Sequence, residues 1–181
     1  MNQQALSALI WSVADLLRGD FKQSEYGRVI LPFTVLRRLD CVLAPTKAEV
    51  LAEYRDRKKT GIAFEPFVLR KAGQPFYNVS ELDLPTLMGD QDNLRVNLRA
   101  YIDGFAPEVH DIFDRFDFYN AVERLHKANL LYLVTEKFAH IDLHPKRVSN
   151  AQMGLVFEEL IRRFAEISNE TAGEHFTPRE V

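Results

Sequence analysis

The stretch EYGRVILPFTVLRRLDCVL, residues 25–43, decides the fold, because a helix of this sequence carries apolar side chains on two sides. The two apolar stripes consist of Val29, Phe33 and Leu36, and of Leu31, Val35, Leu39 and Val42. A helix that is apolar around most of its circumference is buried among other elements, so we predict a central helix here. Pro32 indicates either a kink in that helix or the first turn of a new one.

Helical periodicity continues on both sides of this segment. Upstream, an apolar stripe from Leu6 to Leu17 lies on one face of a helix, which Gly19 ends as a C-terminal cap. Downstream, residues 45–59 predict a polar surface helix. Further helical patterns begin at Asp92 and at Pro107, and residues 120–138 continue the pattern. We therefore expect six or more helices.

The last helix has the clearest pattern. Ser149 and Gln152 have the spacing of a capping box, which marks a helix N-terminus. The apolar positions that follow are Met153, Val156, Phe157, Leu160, Ile161, Phe164 and Ile167. On the outer face, the favourable four-residue spacing of opposite charges occurs in Glu158 with Arg162 and in Glu159 with Arg163.

Two segments lack such a pattern. Residues 60–90 contain three glycines and three prolines, so we expect an irregular segment with a short strand or hairpin around Phe64 to Tyr77. Residues 168–181 are polar and aperiodic. The sequence predicts an all-α, multi-helix globular bundle over residues 1–168, followed by an extended C-terminal tail over residues 169–181 that acts as a linker.

Composition excludes several classes of protein. The chain has 181 residues, of which 46% are apolar and 27% charged, as in a folded domain. The single Cys41 excludes an internal disulfide and a thiolate metal cluster, which favours a reducing, cytoplasmic setting. No apolar run approaches the ~18 residues that span a bilayer, and the N-terminus lacks a secretory signal pattern.

Charge is unevenly distributed along the chain. Residues 1–80 carry 12 basic and 8 acidic side chains, residues 81–130 carry 5 and 10, and residues 131–181 carry 6 and 8. The net charge of −3 argues against a surface that grips phosphate everywhere. The asymmetry permits one face to meet nucleic acid and another to meet protein, but an ordinary solvated surface is the preferred interpretation of the charge pattern alone.

Common catalytic motifs are missing from the sequence. No two of the eight glycines are close enough to form a phosphate-binding loop, and no Gly-x-Ser-x-Gly elbow occurs. His140, Asp142 and His144 offer three metal donors within five residues, but the sequence indicates no further ligand. A polar turn before Pro145 is therefore the preferred interpretation of these three residues.

The closing residues admit two interpretations. Phe176 and Thr177 lie between Gly173 and Pro178, which suits a loop that packs the ring against a flat group and offers a hydroxyl to a polar one. A disordered terminus is the alternative.

Five sequence segments together resemble one family. AGEHFTPREV at 172–181 resembles the entry into the catalytic domain of the modification (M) subunit of type I restriction-modification DNA methyltransferases. The helical part of that subunit is similar to ILPFTVLRRLDCVL at 30–43, PFYN at 75–78, ANLLYLVTEKF at 128–138 and MGLVFEELIRRFAE at 153–166. Each string alone is an ordinary amphipathic pattern, and their order and spacing make the resemblance specific.

The resemblance implies a function for the parent subunit. Members transfer a methyl group from S-adenosylmethionine, usually to N6 of adenine, together with a specificity subunit and, for cleavage, a restriction subunit. It further implies that the helical domain packs against the specificity subunit and its own C-terminal methyltransferase domain and helps enclose double-stranded DNA. The residues that would contribute to the methyl-donor site are Glu174, His175, Phe176, Thr177, Pro178 and Arg179.

This sequence departs from a whole family member, because it has neither the Gly-rich loop nor the Asn/Asp-Pro-Pro-Phe/Tyr motif of the catalytic domain. We expect a fragment of a longer subunit that does not methylate DNA alone. Candidate phosphate contacts are Arg28, Arg37, Arg38 and the run Arg55, Arg57, Lys58 and Lys59. Arg37 and Arg38 have a competing interpretation as partners of Asp40 or other carboxylates. A non-enzymatic helical adaptor that binds only protein is the alternative function, and a helix-turn-helix regulator is disfavoured.

Overall fold

A computed structural model describes the backbone of residues 3–175 and the side chains of residues 3–166. The helices, in chain order, are α1 (Gln3–Leu17), α2 (Tyr26–Leu43), α3 (Lys47–Thr60), α4 (Glu65–Ala72), α5 (Leu84–Leu87), α6 (Leu94–Asp103), α7 (Pro107–Arg115), α8 (Phe118–Lys127), α9 (Leu131–Ala139) and α10 (Asn150–His175). Among the described residues there is no β-strand, and the predicted all-α class is confirmed.

The central helix is α2, as predicted. It packs against α1, α8, α9 and α10, and its stripe of Val29, Phe33 and Leu36 is fully buried. Phe33 meets Phe118 at 5.0 Å and Phe138 at 5.4 Å between ring centroids. Pro32 lies inside the continuous helix, so it does not begin a new one.

The expected hairpin around Phe64 to Tyr77 is wrong, because α4 occupies most of that segment. Pro66 stands in the first turn of α4, where a proline costs no helical hydrogen bond. Gly73, at φ +66°, ends the helix in the left-handed conformation that glycine adopts readily. Strand-like pairing nearby is limited, within the described part of the chain, to an isolated bridge between Asn78 and Phe105.

The pattern at residues 120–138 corresponds to two helices rather than one. The break between α8 and α9 falls at Asn129, whose φ is +59°. An L-residue at positive φ interrupts a right-handed helix, and asparagine tolerates this conformation better than most residues. Leu133 of α9, although apolar, is 43% exposed.

The capping box of the last helix is confirmed. The Ser149 amide donates to Gln152 Oε1 at 2.8 Å, and the Gln152 amide donates to Ser149 Oγ at 3.1 Å. The helix does not end near Ile167 as expected but continues to His175, because residues 168–172 contain no helix-breaking proline or glycine. The predicted extended tail is therefore wrong for residues 169–175, which are helical. Residues 176–181 lie outside the described residues.

Candidate functional site

The predicted basic run lies on the C-terminal half of α3 and divides into two pairs. Arg55 forms an exposed ion pair with Glu81 at 2.5 Å. Arg57 is paired with Glu53 at 2.9 Å, and its guanidinium lies 3.7 Å from the ring centre of Phe67. Both arginines are therefore engaged within the domain.

Lys58 and Lys59 are the exposed members of the run without a carboxylate partner among the described residues. The Lys58 ammonium lies 5.2 Å from the ring centre of Tyr54, a contact that leaves its charge uncompensated. Cations in a last turn also complement the helix dipole. The two lysines can thus serve the helix alone, or the helix and a phosphate together.

Aromatic packing fixes the direction in which α3 presents these lysines. Tyr54 packs edge-on against Phe64 at 4.8 Å, and Phe64 packs against Tyr77 at 5.9 Å. These contacts tie α3 to the start of α4 and to the segment after it. Charged side chains on such a rigid hairpin would meet a partner with little loss of backbone entropy.

Arg37 takes part in a buried network that the sequence did not predict in full. Its Nη1 donates to Asp40 Oδ2 at 2.6 Å and its Nε donates to the Ile141 carbonyl at 2.8 Å. The other carboxylate oxygen of Asp40 accepts from the Tyr101 hydroxyl at 2.6 Å. Burial raises the pKa of Asp40 and raises the pKa of Tyr101 well above its usual value. The proton therefore stays on Tyr101.

Lys47 lies beside this network, in a small cavity that Asp40, Asp83 and Tyr101 also line. Its ammonium donates to the Ser80 carbonyl at 2.8 Å. Burial lowers the pKa of Lys47, and the negative charges of Asp40 and Asp83 oppose that shift. The cluster holds the loop before α5 against α2 and α6.

Arg38 also faces inward. Its Nη1 donates to the carbonyls of Leu143 and Val148 at 2.7 and 2.5 Å, and its Nη2 donates to Asn150 Oδ1 at 2.7 Å. The guanidinium thereby fastens the segment that leads into α10 onto the central helix. For Arg37 and Arg38 the structure favours an internal role over phosphate contact, because two nitrogens of each guanidinium group already donate to acceptors within the domain.

Arg28 differs from these two arginines. It is exposed and pairs with no carboxylate among the described residues. It lines a groove between the start of α2, the helix α10 and Phe116, with a volume of about 290 Å³. The other main walls of the groove are Leu31, Ile161 and Phe164.

The remaining sequence candidates are placed as follows. His140, Asp142 and His144 follow α9, where Asp142 Oδ1 accepts from the His144 amide at 3.0 Å and His144 Nδ1 accepts from the Lys146 amide at 3.1 Å. These are the bonds of a polar turn, and the described side chains form no group of three metal donors. Glu174 and His175 lie in the last turn of α10, but their side chains lie outside the described residues, as do Phe176, Thr177, Pro178 and Arg179 in full.

The sequence offered the Arg37–Asp40 pair as one of two interpretations, but it did not predict the parts of the buried network that Tyr101 and Lys47 supply, nor the groove. Asp40 looks like a surface residue of a helix, and only its position between Leu36 and Leu43, both buried, signals otherwise. The groove arises where Gly27 omits a side chain: a Cβ there would lie 3.7 Å from the Phe164 ring. A glycine in the first turn of a buried helix was the available signal.

The described residues form an all-α domain with two surfaces suited to contact. One is the helical hairpin of α3 and α4 with Lys58 and Lys59, which pair with no carboxylate among those residues, and the other is the groove. Residues 6–138 match the model of the family described as HsdM_N, the HsdM N-terminal domain. No curated protein matches the chain closely enough to be named as a relative. No described helix is both long and apolar enough to cross a membrane.

The match covers most of the chain, so the chain belongs to the HsdM N-terminal domain family. It is the N-terminal region of the modification subunit of a type I restriction-modification system. That subunit is the methyltransferase of a complex with other subunits, and the resemblance found in the sequence is confirmed.

Proposed function

We propose that the chain is the docking and regulatory region of an adenine-specific DNA methyltransferase subunit, where it helps assemble the complex and enclose DNA during N6-adenine methylation. The observation that carries this proposal is the family match over residues 6–138. The role is positional. A base must leave the duplex to be methylated, and the few kcal/mol that unstacking costs are more easily met when protein holds the duplex on both sides of it.

The α3 surface supports the DNA side of this proposal. Lys58 and Lys59 are exposed on the helical hairpin of α3 and α4 and have no carboxylate partner among the described residues. Their charges are therefore available to contact phosphate. Arg55 and Arg57 are held by Glu81 and Glu53. They would join the contact only by exchanging those partners for phosphate.

S-adenosylmethionine is the methyl donor that the proposal requires, with residues 174–179 as one wall of its site. The side chains of residues 174–179 lie outside the described residues. The proposed partners are the specificity subunit, the restriction subunit, double-stranded DNA and the methyltransferase domain of the same subunit, in a cytoplasmic setting. The catalytic groups would belong to that methyltransferase domain.

A helical adaptor that binds only protein is the second candidate, and the groove favours it. Its apolar walls Leu31, Ile161 and Phe164 offer nothing to phosphate. The two candidates predict different effects of deleting the domain. The docking role at DNA predicts weaker complex assembly and weaker DNA binding, and the adaptor role predicts weaker assembly alone.

The test uses the complete modification subunit, with and without residues 1–168, mixed with its specificity subunit. Native mass measurement reports assembly, and fluorescence anisotropy reports the affinity for a DNA duplex. We expect deletion to weaken both. Loss of assembly with unchanged DNA affinity of the remaining subunits would favour the adaptor, and no loss of either would contradict both candidates.

A further inference from the structure

We propose that the groove between α2 and α10 binds an amphipathic helix of a partner protein, one that carries a carboxylate beside bulky apolar side chains. The groove has an apolar floor and one charged side chain, Arg28. This inference concerns a protein contact and does not depend on the DNA contact proposed for α3.

The walls of the groove are held in place before any partner arrives. Phe164 is buried and packs edge-on against Trp11 at 5.7 Å and against Tyr26 at 6.1 Å. Gly27 contributes no side chain beside the Phe164 ring, where a Cβ would lie 3.7 Å from a ring carbon. A partner would therefore find a preformed cleft and would not have to reorganise the core.

One of the apolar residues that line the groove is largely exposed to solvent. Ile161 is 56% exposed although it lies one turn from Phe164. The groove is thus an open trough along a helix rather than a closed pocket. Its volume of about 290 Å³ has room for a few anchoring side chains of a helix.

The charge of Arg28 indicates which polar side chain the partner helix carries beside its apolar face. Glu25, which precedes α2, is held by Arg124, and Asp117 lines an adjoining pocket with Arg28 but forms no ion pair with it among the described residues. Among the described residues Arg28 pairs with no carboxylate, so its guanidinium can offer two hydrogen bonds to a partner's carboxylate at the edge of the apolar floor. Nucleic acid fits less well, because the apolar walls offer no donor to phosphate or to base edges.

The proposal is tested with the whole chain and a designed, fluorescently labelled helical peptide of about 15 residues. The peptide carries Leu and Phe on one face, with Glu beside them, and anisotropy reports binding. We expect Arg28→Glu and Ile161→Asp each to weaken binding by about tenfold or more. Gly27→Leu, which fills the trough without adding charge, should weaken it similarly.

Leu155→Asp is the matched control, because Leu155 lies on the same helix, is 52% exposed and does not line the groove. It should leave the affinity unchanged. A second peptide with Lys in place of Glu should bind Arg28→Glu as tightly as the first binds the native chain. The circular dichroism spectrum of every variant verifies folding. Because Arg28 and Ile161 are exposed, we expect their substitution to leave the fold intact.

Three results would overturn the proposal. One is the absence of peptide binding up to roughly 1 mM. Another is binding that ignores both Arg28→Glu and Ile161→Asp. The third is a DNA duplex that displaces the peptide from the native chain and loses affinity on Ile161→Asp, which would assign the groove to nucleic acid.

Discussion

Tyr101 donates its hydroxyl proton to Asp40 Oδ1 across 2.6 Å and so joins α6 to the central helix α2 within the core. Asp40 is 5% exposed, and its second carboxylate oxygen accepts from Arg37. A buried carboxylate that loses one donor keeps its desolvation cost. The stability of the domain therefore depends on this buried polar group near the C-terminal end of α2.

Tyr101→Phe removes the hydroxyl and leaves the ring in place. We expect the free energy of unfolding to fall by about 1–3 kcal/mol, measured by urea denaturation. Tyr119→Phe is the control, since the Tyr119 hydroxyl bonds Asp103 at an exposed site. Its loss should be clearly smaller, and equal losses in the two variants would contradict a special role for the buried bond.

The buried carboxyl of Asp40 also gives stability a definite pH dependence. Burial raises the pKa of Asp40 in the folded domain, above the value of about 3.9 that an unfolded chain shows. The folded state holds this proton more tightly, so the stabilisation by the protonated group is complete at low pH. It is lost as pH rises through the folded pKa.

We expect the stability of the native chain relative to Asp40→Asn, which cannot titrate, to fall as pH rises from about 4 through the raised pKa of folded Asp40. Urea denaturation across that range measures the difference between the two free energies of unfolding. Subtracting the variant removes the contribution of the other carboxyl groups. A difference that rises with pH would mean that Arg37 and Tyr101 outweigh burial and lower the pKa of Asp40.

Two glycines give opposite predictions for the same substitution. A Cβ at Gly104 would lie 2.7 Å from Asn78 Oδ1 and 2.9 Å from the Ser80 backbone nitrogen. Gly104→Ala should therefore cost about 1–3 kcal/mol. Gly154 lies inside α10 with nothing within 4 Å of the added carbon, so Gly154→Ala should stabilise by up to about 1 kcal/mol. Thermal unfolding compares the two, and a stabilised Gly104→Ala would contradict the close packing.

Replacing Lys58 and Lys59 with glutamine tests the α3 surface in the assembled complex. Each lost phosphate contact should reduce the slope of log affinity against log salt by about 0.9, so the double variant should lose nearly 2 in slope. Lys22→Gln with Lys127→Gln is the matched control, because both residues are exposed, lie on other segments and change the net charge equally. An unchanged slope in the α3 variant would remove these lysines from the DNA contact.

The sequence predicted best where one local pattern sufficed. Two apolar stripes indicated the burial of α2, and the spacing of Ser149 and Gln152 indicated the start of α10. Both signals act through neighbours along the chain. The break at Asn129 and the helix α4 were not predicted. A positive φ at an asparagine and a proline in the first turn of a helix do not change the spacing of apolar residues, so the apolar periodicity does not reveal them.

The contact surfaces were only partly predictable. The basic run was read directly from residues 55–59, but its division into engaged arginines and free lysines depends on Glu81, Glu53 and Phe67, which tertiary packing supplies. The groove depends on a long-range approach between Gly27 and Phe164. No pattern within either segment encodes that approach.

The most direct test of the docking role is methyl transfer by the reconstituted complex. The complete modification subunit and its specificity subunit are given S-adenosylmethionine with a radioactive methyl group, and incorporation at adenine N6 in duplex DNA is measured with and without residues 1–168. We predict that deletion abolishes most incorporation at limiting DNA concentration, although the methyltransferase domain is intact. Equal rates from the intact and the deleted complexes would contradict a positional role for this domain.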